Sequence, residues 1–246
     1  MKKILTALLA LLPLSASAND FGTGIEVGAQ KKITQSLSAG ISGEFRTQDG
    51  VSNVERWSIG AELSYKICKP LKAEVGYTLI GRRIASYDYV TKTKQKPYHV
   101  PGYWSPRHRA YISFTGSWKP IKHFELSLRE RYQYTRQPAL NIRRYNTATG
   151  LRGSDKVDSA DEDHVLRSRL QLEWGKKKCP WQPFVSVEML NDLTSSMDID
   201  QMRYTAGTDY KLNKHNKIGI SYRFKDKSDK DEAKGHLLSV SYSFSF

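Results

Sequence analysis

The sequence is poor in the features that organise most folds. Across 246 residues there are two cysteines and nine prolines, and beyond the opening segment no long apolar run. Two cysteines, Cys68 and Cys179, are too few to staple a framework. Neither has a second Cys or a His at metal-ligand spacing, so no metal and no cofactor is expected. Without about eighteen consecutive apolar residues, a membrane-spanning helix is excluded. A basic helix face is also missing. The net charge of +14 is spread over lysines in short turns, and no nucleic-acid partner is expected. The mean hydropathy of −0.58 excludes less. A soluble protein gives such an average, and so does a membrane barrel, whose strands are apolar on the lipid side alone.

The one apolar run opens the chain. Lys2 and Lys3 precede the run 4–14, and Ala16-Ser17-Ala18 supplies small residues ahead of a cut. That layout is a secretory signal peptide over 1–18, cleaved near Ala18, with one domain over 19–246.

From Phe21 onward the dominant signal is period-two alternation, the mark of strands with two unlike faces. Leu71, Ala73, Val75, Tyr77 and Leu79 share one face, with Lys72, Glu74, Gly76 and Thr78 on the other. Leu238, Val240, Tyr242, Phe244 and Phe246 alternate with serines. Eleven such segments can be marked: 21–30, 35–46, 54–66, 71–83, 108–118, 123–135, 165–174, 182–190, 201–212, 216–224 and 236–246. Most are near the length a tilted strand needs to cross a membrane. Connections at 31–32, 67–70, 119–122, 175–180 and 213–216 are short, 84–107 and 136–164 are long, and 47–53, 191–200 and 225–235 are intermediate. Short turns at one end and long loops at the other predict an all-β fold, a closed antiparallel transmembrane β-barrel with its short turns in the periplasm. Aromatic residues near strand ends, such as Trp57, Trp118, Tyr132 and Tyr222, fit the interfacial girdles of such a barrel.

Tyr242-Ser243-Phe244-Ser245-Phe246 resembles the C-terminal β-signal of bacterial outer-membrane barrels, a row of alternating aromatic residues ending in Phe. The resemblance implies the outer membrane as location and the barrel-assembly machinery as a partner during biogenesis. The chain also resembles a bacterial outer-membrane barrel family known as a domain of unknown function. That resemblance is carried by the segments 124–132 (FELSLRERY) and 202–207 (MRYTAG), and it implies no activity.

Strand number is the difficult point. Counting back from a periplasmic C-terminus, segment 21–30 must descend from outside, with few residues ahead of it to carry the chain there. About ten strands are favoured, with 21–30 in the lumen or along the seam. Twelve, with one strand unrecognised, comes next. Eleven, with first and last strands parallel, is the third option, because bacterial single-chain barrels have even numbers.

On this register Arg109, Arg129, Arg131, Arg167, Arg169 and Arg203 face the lumen, among carboxylates such as Glu44, Glu74 and Glu188. Such residues either form a network of paired charges filling the lumen or hold small anions on guanidinium forks. Glu130 falls on the lipid face between Leu128 and Tyr132, with Ser168 at the same height on the next strand if the hairpin is in simple register. That patch marks a dimer interface or lateral opening, or else a β-bulge near Arg129 or a strand already leaving the membrane at that height; the oligomeric state stays open. Cys68 and Cys179 lie in two periplasmic turns, and a disulfide between them requires Cα atoms within about 7 Å. Near the outer rim are His99, His108 and His164, none in a nucleophile elbow.

The sequence therefore points to a barrel in contact with outer-membrane lipid, of structural or narrow-pore type, binding or passing small anionic solutes. The alternative is a barrel enzyme of lipase, acylase or protease type acting at the extracellular rim.

Overall fold

The computed structural model describes residues 21–49, 52–91, 95–176, 179–194, 197–228 and 232–246. The segment 1–18, read from sequence as a signal peptide, lies outside them. In chain order the strands are β1 (Phe21–Lys32), β2 (Leu37–Gln48), β3 (Asn53–Lys66), β4 (Leu71–Ile84), β5 (Tyr87–Val90), β6 (Pro97–Val100), β7 (Tyr103–Ile121) and β8 (Phe124–Gln137). There follow β9 (Leu140–Ile142), β10 (Tyr145–Asn146), β11 (Lys156–Asp158), β12 (Asp161–Trp174), β13 (Trp181–Asp192), β14 (Ile199–Lys211), β15 (Asn216–Lys225) and β16 (Gly235–Ser245).

Eleven of these close into a barrel in the order β1-β2-β3-β4-β7-β8-β12-β13-β14-β15-β16. Each neighbouring pair is antiparallel except at the seam, where β1 runs parallel to β16 from Phe21 beside His236 to Gln30 beside Ser245. The count is one above the ten favoured from sequence, and the first segment is a wall strand, not a lumen plug. Its own alternation gives the reason. Ile25 and Val27 sit beside Val240 and Tyr242 on the outer face, while Glu26 lines the lumen. An odd number of strands makes first and last run the same way, so the seam is parallel. At the end of the seam nearest the short turns Phe246 N donates to Gln30 O at 3.0 Å, and Lys32 N to Phe246 O at 3.2 Å.

Burial runs opposite to that of a water-soluble protein. Among the described residues six apolar side chains are buried against nineteen polar or charged ones. Val75, Tyr77, Val240, Tyr242 and Phe246 stand exposed on the outer wall. An apolar exterior around a charged interior is stable against hydrocarbon and not against water.

The described parts of the two long loops carry short strands of their own. β5, β6 and β10 make one small sheet above the wall, and β9 and β11 pair as another. Arg144 stacks 4.2 Å over the Tyr98 ring and donates to the Tyr89 hydroxyl at 2.6 Å. Of the acidic loop residues, Asp155 pairs with Arg152 at 2.9 Å, and Asp158 accepts from Tyr103 and Gln137 at 3.2 Å each.

Cys68 and Cys179 are free. They occupy the β3–β4 and β12–β13 turns, and the wall order places β7 and β8 between β4 and β12. Three steps of about 4.8 Å round the wall exceed the reach of a disulfide.

Candidate functional site

The side chains that alternation sends inward meet in the middle of the lumen. Arg129 and Arg131 rise from β8, and the ladder sets them beside Arg169 and Arg167 of β12. Like charges opposed on adjacent strands repel, and two carboxylates answer them. Glu188 of β13 takes Arg129 at 2.5 Å and Arg167 at 2.8 Å, with Arg203 of β14 at 3.9 Å. Glu74 of β4 takes Arg131 at 2.8 Å and Lys72 at 3.0 Å. Arg131 also lies 3.9 Å over the ring of Tyr111, whose hydroxyl donates to Glu62 at 3.0 Å. Gly76 makes room for that ring, since a Cβ there would stand 2.3 Å from it.

A second cluster is built around Glu44 and Glu232. Glu44 pairs with Arg46 at 2.6 Å and with Arg56 at 2.8 Å. Both arginines reach on to Glu232, at 2.9 and 3.1 Å. Arg203 and Lys225 stand 3.7 and 3.6 Å from the same carboxylate. Glu232 comes from the segment joining β15 to β16, yet it is 3% exposed. Burial alone would raise its pKa, but the guanidiniums of Arg203, Arg46 and Arg56 and the Lys225 ammonium hold it well below the ordinary carboxylate range.

Residues of both clusters line a cavity of about 370 Å³. Its lining carries eight arginines against five carboxylates, an excess of positive charge. Arg169 and Arg223 form no ion pair among the described residues; Arg223 donates through Nε to Thr205 Oγ1 at 3.3 Å. A guanidinium with unfilled donors inside a polar cavity is a ready partner for carboxylate or phosphate.

Five of the six arginines singled out by sequence line this cavity: Arg129, Arg131, Arg167, Arg169 and Arg203. Arg109 does not. It sits nearer the outer end of β7, buried, and donates through Nε to Thr135 at 3.2 Å. Arg46, Arg56 and Arg223 join the site through the same alternation. Glu232 carries no such signal, because a loop has no period.

On the outer wall Ser168 stands directly opposite Glu130 and donates to its carboxylate at 2.6 Å. The β8–β12 register runs unbroken from Gln137 to Phe124, so no bulge lies near Arg129. The irregularity of this region is lower, between Trp118 and Ile121 on β7. Towards the rim, His108 and His164 bond to the hydroxyls of Tyr77 and Tyr132 at 2.5 and 2.7 Å.

A closed wall, apolar outside and arginine-rich inside, defines the class: this is the fold of outer-membrane β-barrels. Solved structures that share it include two autotransporter domains. The β domain of the Bordetella autotransporter BrkA aligns over 84% of this chain and 78% of its own, at 11% identity and a TM-score of 0.53. The translocator domain of autotransporter NalP from Neisseria meningitidis aligns over 82% and 72%, at 12% identity and a TM-score of 0.52. No curated protein matches the sequence. The chain belongs to the family described as protein of unknown function (DUF2490), which matches residues 23–234.

Proposed function

We propose that this protein is an outer-membrane barrel that binds small anionic solutes in its lumen and passes them as a narrow pore. It is exported, loses residues 1–18, and sits with its long loops outside, the C-terminal strand serving as its assembly signal. One observation carries the solute reading: eight guanidiniums face five carboxylates round the cavity, and Arg169 and Arg223 form no ion pair among the described residues. A lumen serving stability alone gains nothing from uncompensated charge, which repels itself. A bound di- or tricarboxylate or phosphate ester supplies the missing countercharge.

Planar-bilayer recording tests this. The expected result is small anion-selective openings that citrate or inorganic phosphate blocks from one side. Replacing either Arg169 or Arg223 by Gln weakens the block roughly tenfold or more, since a hydrogen bond to a charged group contributes about 1.5–3 kcal/mol. Cation-selective openings, or silence together with no phosphate or citrate binding by calorimetry, would overturn the reading.

A further inference from the structure

Three times round the outer wall a tyrosine hydroxyl meets Nδ1 of a histidine on the neighbouring strand. The pairs are Tyr77–His108 at 2.5 Å, Tyr132–His164 at 2.7 Å and Tyr222–His236 at 2.5 Å. The registers correspond. In each, the residue directly opposite the tyrosine lies two positions from the histidine on the same strand. For Tyr132 and Tyr222 that residue is a leucine, Leu166 or Leu238. For Tyr77 it is Ala110.

The missing bulk leaves a groove of about 420 Å³ on the outer face of β4, β7 and β8. Ala110 is its floor, with Tyr77 and Tyr134 beside it in one row across the three strands. His108 and Arg136 lie two residues nearer the rim, also paired across strands. Arg136 is 60% exposed, with its Nε 3.8 Å from Glu162, the carboxylate that also hydrogen-bonds Tyr134. When the Tyr77 hydroxyl donates to Nδ1, the ring of His108 carries its own N–H on Nε2. The groove is thus apolar below and offers hydrogen-bond donors and positive charge above. It faces the leaflet on the side of the long loops.

We propose that this groove binds one phosphorylated, acylated glycolipid of the outer leaflet. An acyl chain lies over Ala110 between the two tyrosines, and a phosphate sits on Arg136 and His108. Charge complementarity selects the occupant, because a guanidinium fork matches phosphate geometry and a phosphorylated glycolipid carries both the acyl chain and the phosphate that the two ends of the groove take. The inference rests on placing the barrel in the outer membrane and is independent of what the lumen carries.

Native mass spectrometry of the full barrel in detergent, with added lipid A as probe, tests it. The wild type is expected to hold lipid A in preference to phosphatidylglycerol. Ala110→Leu copies the leucine of the other two pairs, so the wall folds as before, and it weakens lipid A binding at least tenfold. Arg136→Gln weakens lipid A to a similar degree but leaves dephosphorylated lipid A unaffected. Equal binding by wild type and A110L, or preference for phosphatidylglycerol, would overturn the site. Heat-modifiable gel migration reports folding separately, and phosphate block of the pore should persist in A110L. Failure of the lipid site is thereby distinct from failure of the barrel or of its lumen.

Discussion

Glu232 shows how one side chain can set the state of the lumen. Its carboxylate is the shared partner of Arg46 and Arg56, with Arg203 and Lys225 close by. Glu232→Gln leaves these cations facing one another, and breaking a buried pair from one side costs about 3 kcal/mol. For a domain of this size that corresponds to roughly 6–12 °C in Tm. The ordinary carboxylate pKa is about 4.3, and in the folded protein that of Glu232 is depressed. Its contribution is therefore complete above that pH and lost as the pH falls through the lower folded value. Thermal unfolding in detergent should show the wild-type advantage over E232Q undiminished from pH 7 to about 5 and shrinking below about 4. The lumen arginines were legible in the sequence because each occupies an alternate position on a strand. Glu232 was not, because its place depends on how a loop folds back onto that strand set. Arg109 faces inward as read, yet alternation fixes a side and not a height, and its height takes it out of the cavity.

At the scale of elements, the wall strands follow directly from period two, since a one-residue slip would turn every apolar side chain to the lumen. The crown strands β5, β6, β9, β10 and β11 have two to four residues each, too short for a period to register. β7 begins at Tyr103, ahead of the segment marked from 108 in the sequence, because its upper part pairs with β4 above the band where apolar alternation is required. The seam could not be decided from alternation, which says that β1 is a strand but not which neighbour it finds. A cysteine pair decides it. With Cys68 and Cys179 changed to Ser, Val27→Cys with Tyr242→Cys should oxidise to a faster-migrating monomer, as these positions are partners in the parallel register. No cross-link in the folded protein would refute the closure. In the unaltered chain, thiol titration should find two free thiols with or without reductant, in keeping with turns held apart by intervening strands.

For the molecule as a whole, the balance of hydrocarbon outside and ion pairs inside makes lumen charge the property most open to measurement. If the guanidinium excess sets selectivity, anion preference should fall as salt rises from 0.1 to 1 M, because the Debye length shrinks from about 10 to 3 Å. Reversal potentials measured across that range check it, and a preference independent of salt would point to size exclusion instead. The parallel seam has a mechanical meaning as well. Strands that arrive as hairpins come in twos, and eleven leaves one over. β1 is joined to the final strand by ladder bonds slightly weaker than those of its antiparallel neighbours. Pulled by its ends, the wall would part first along this line and open like a slit cylinder, with every other strand pair still zipped.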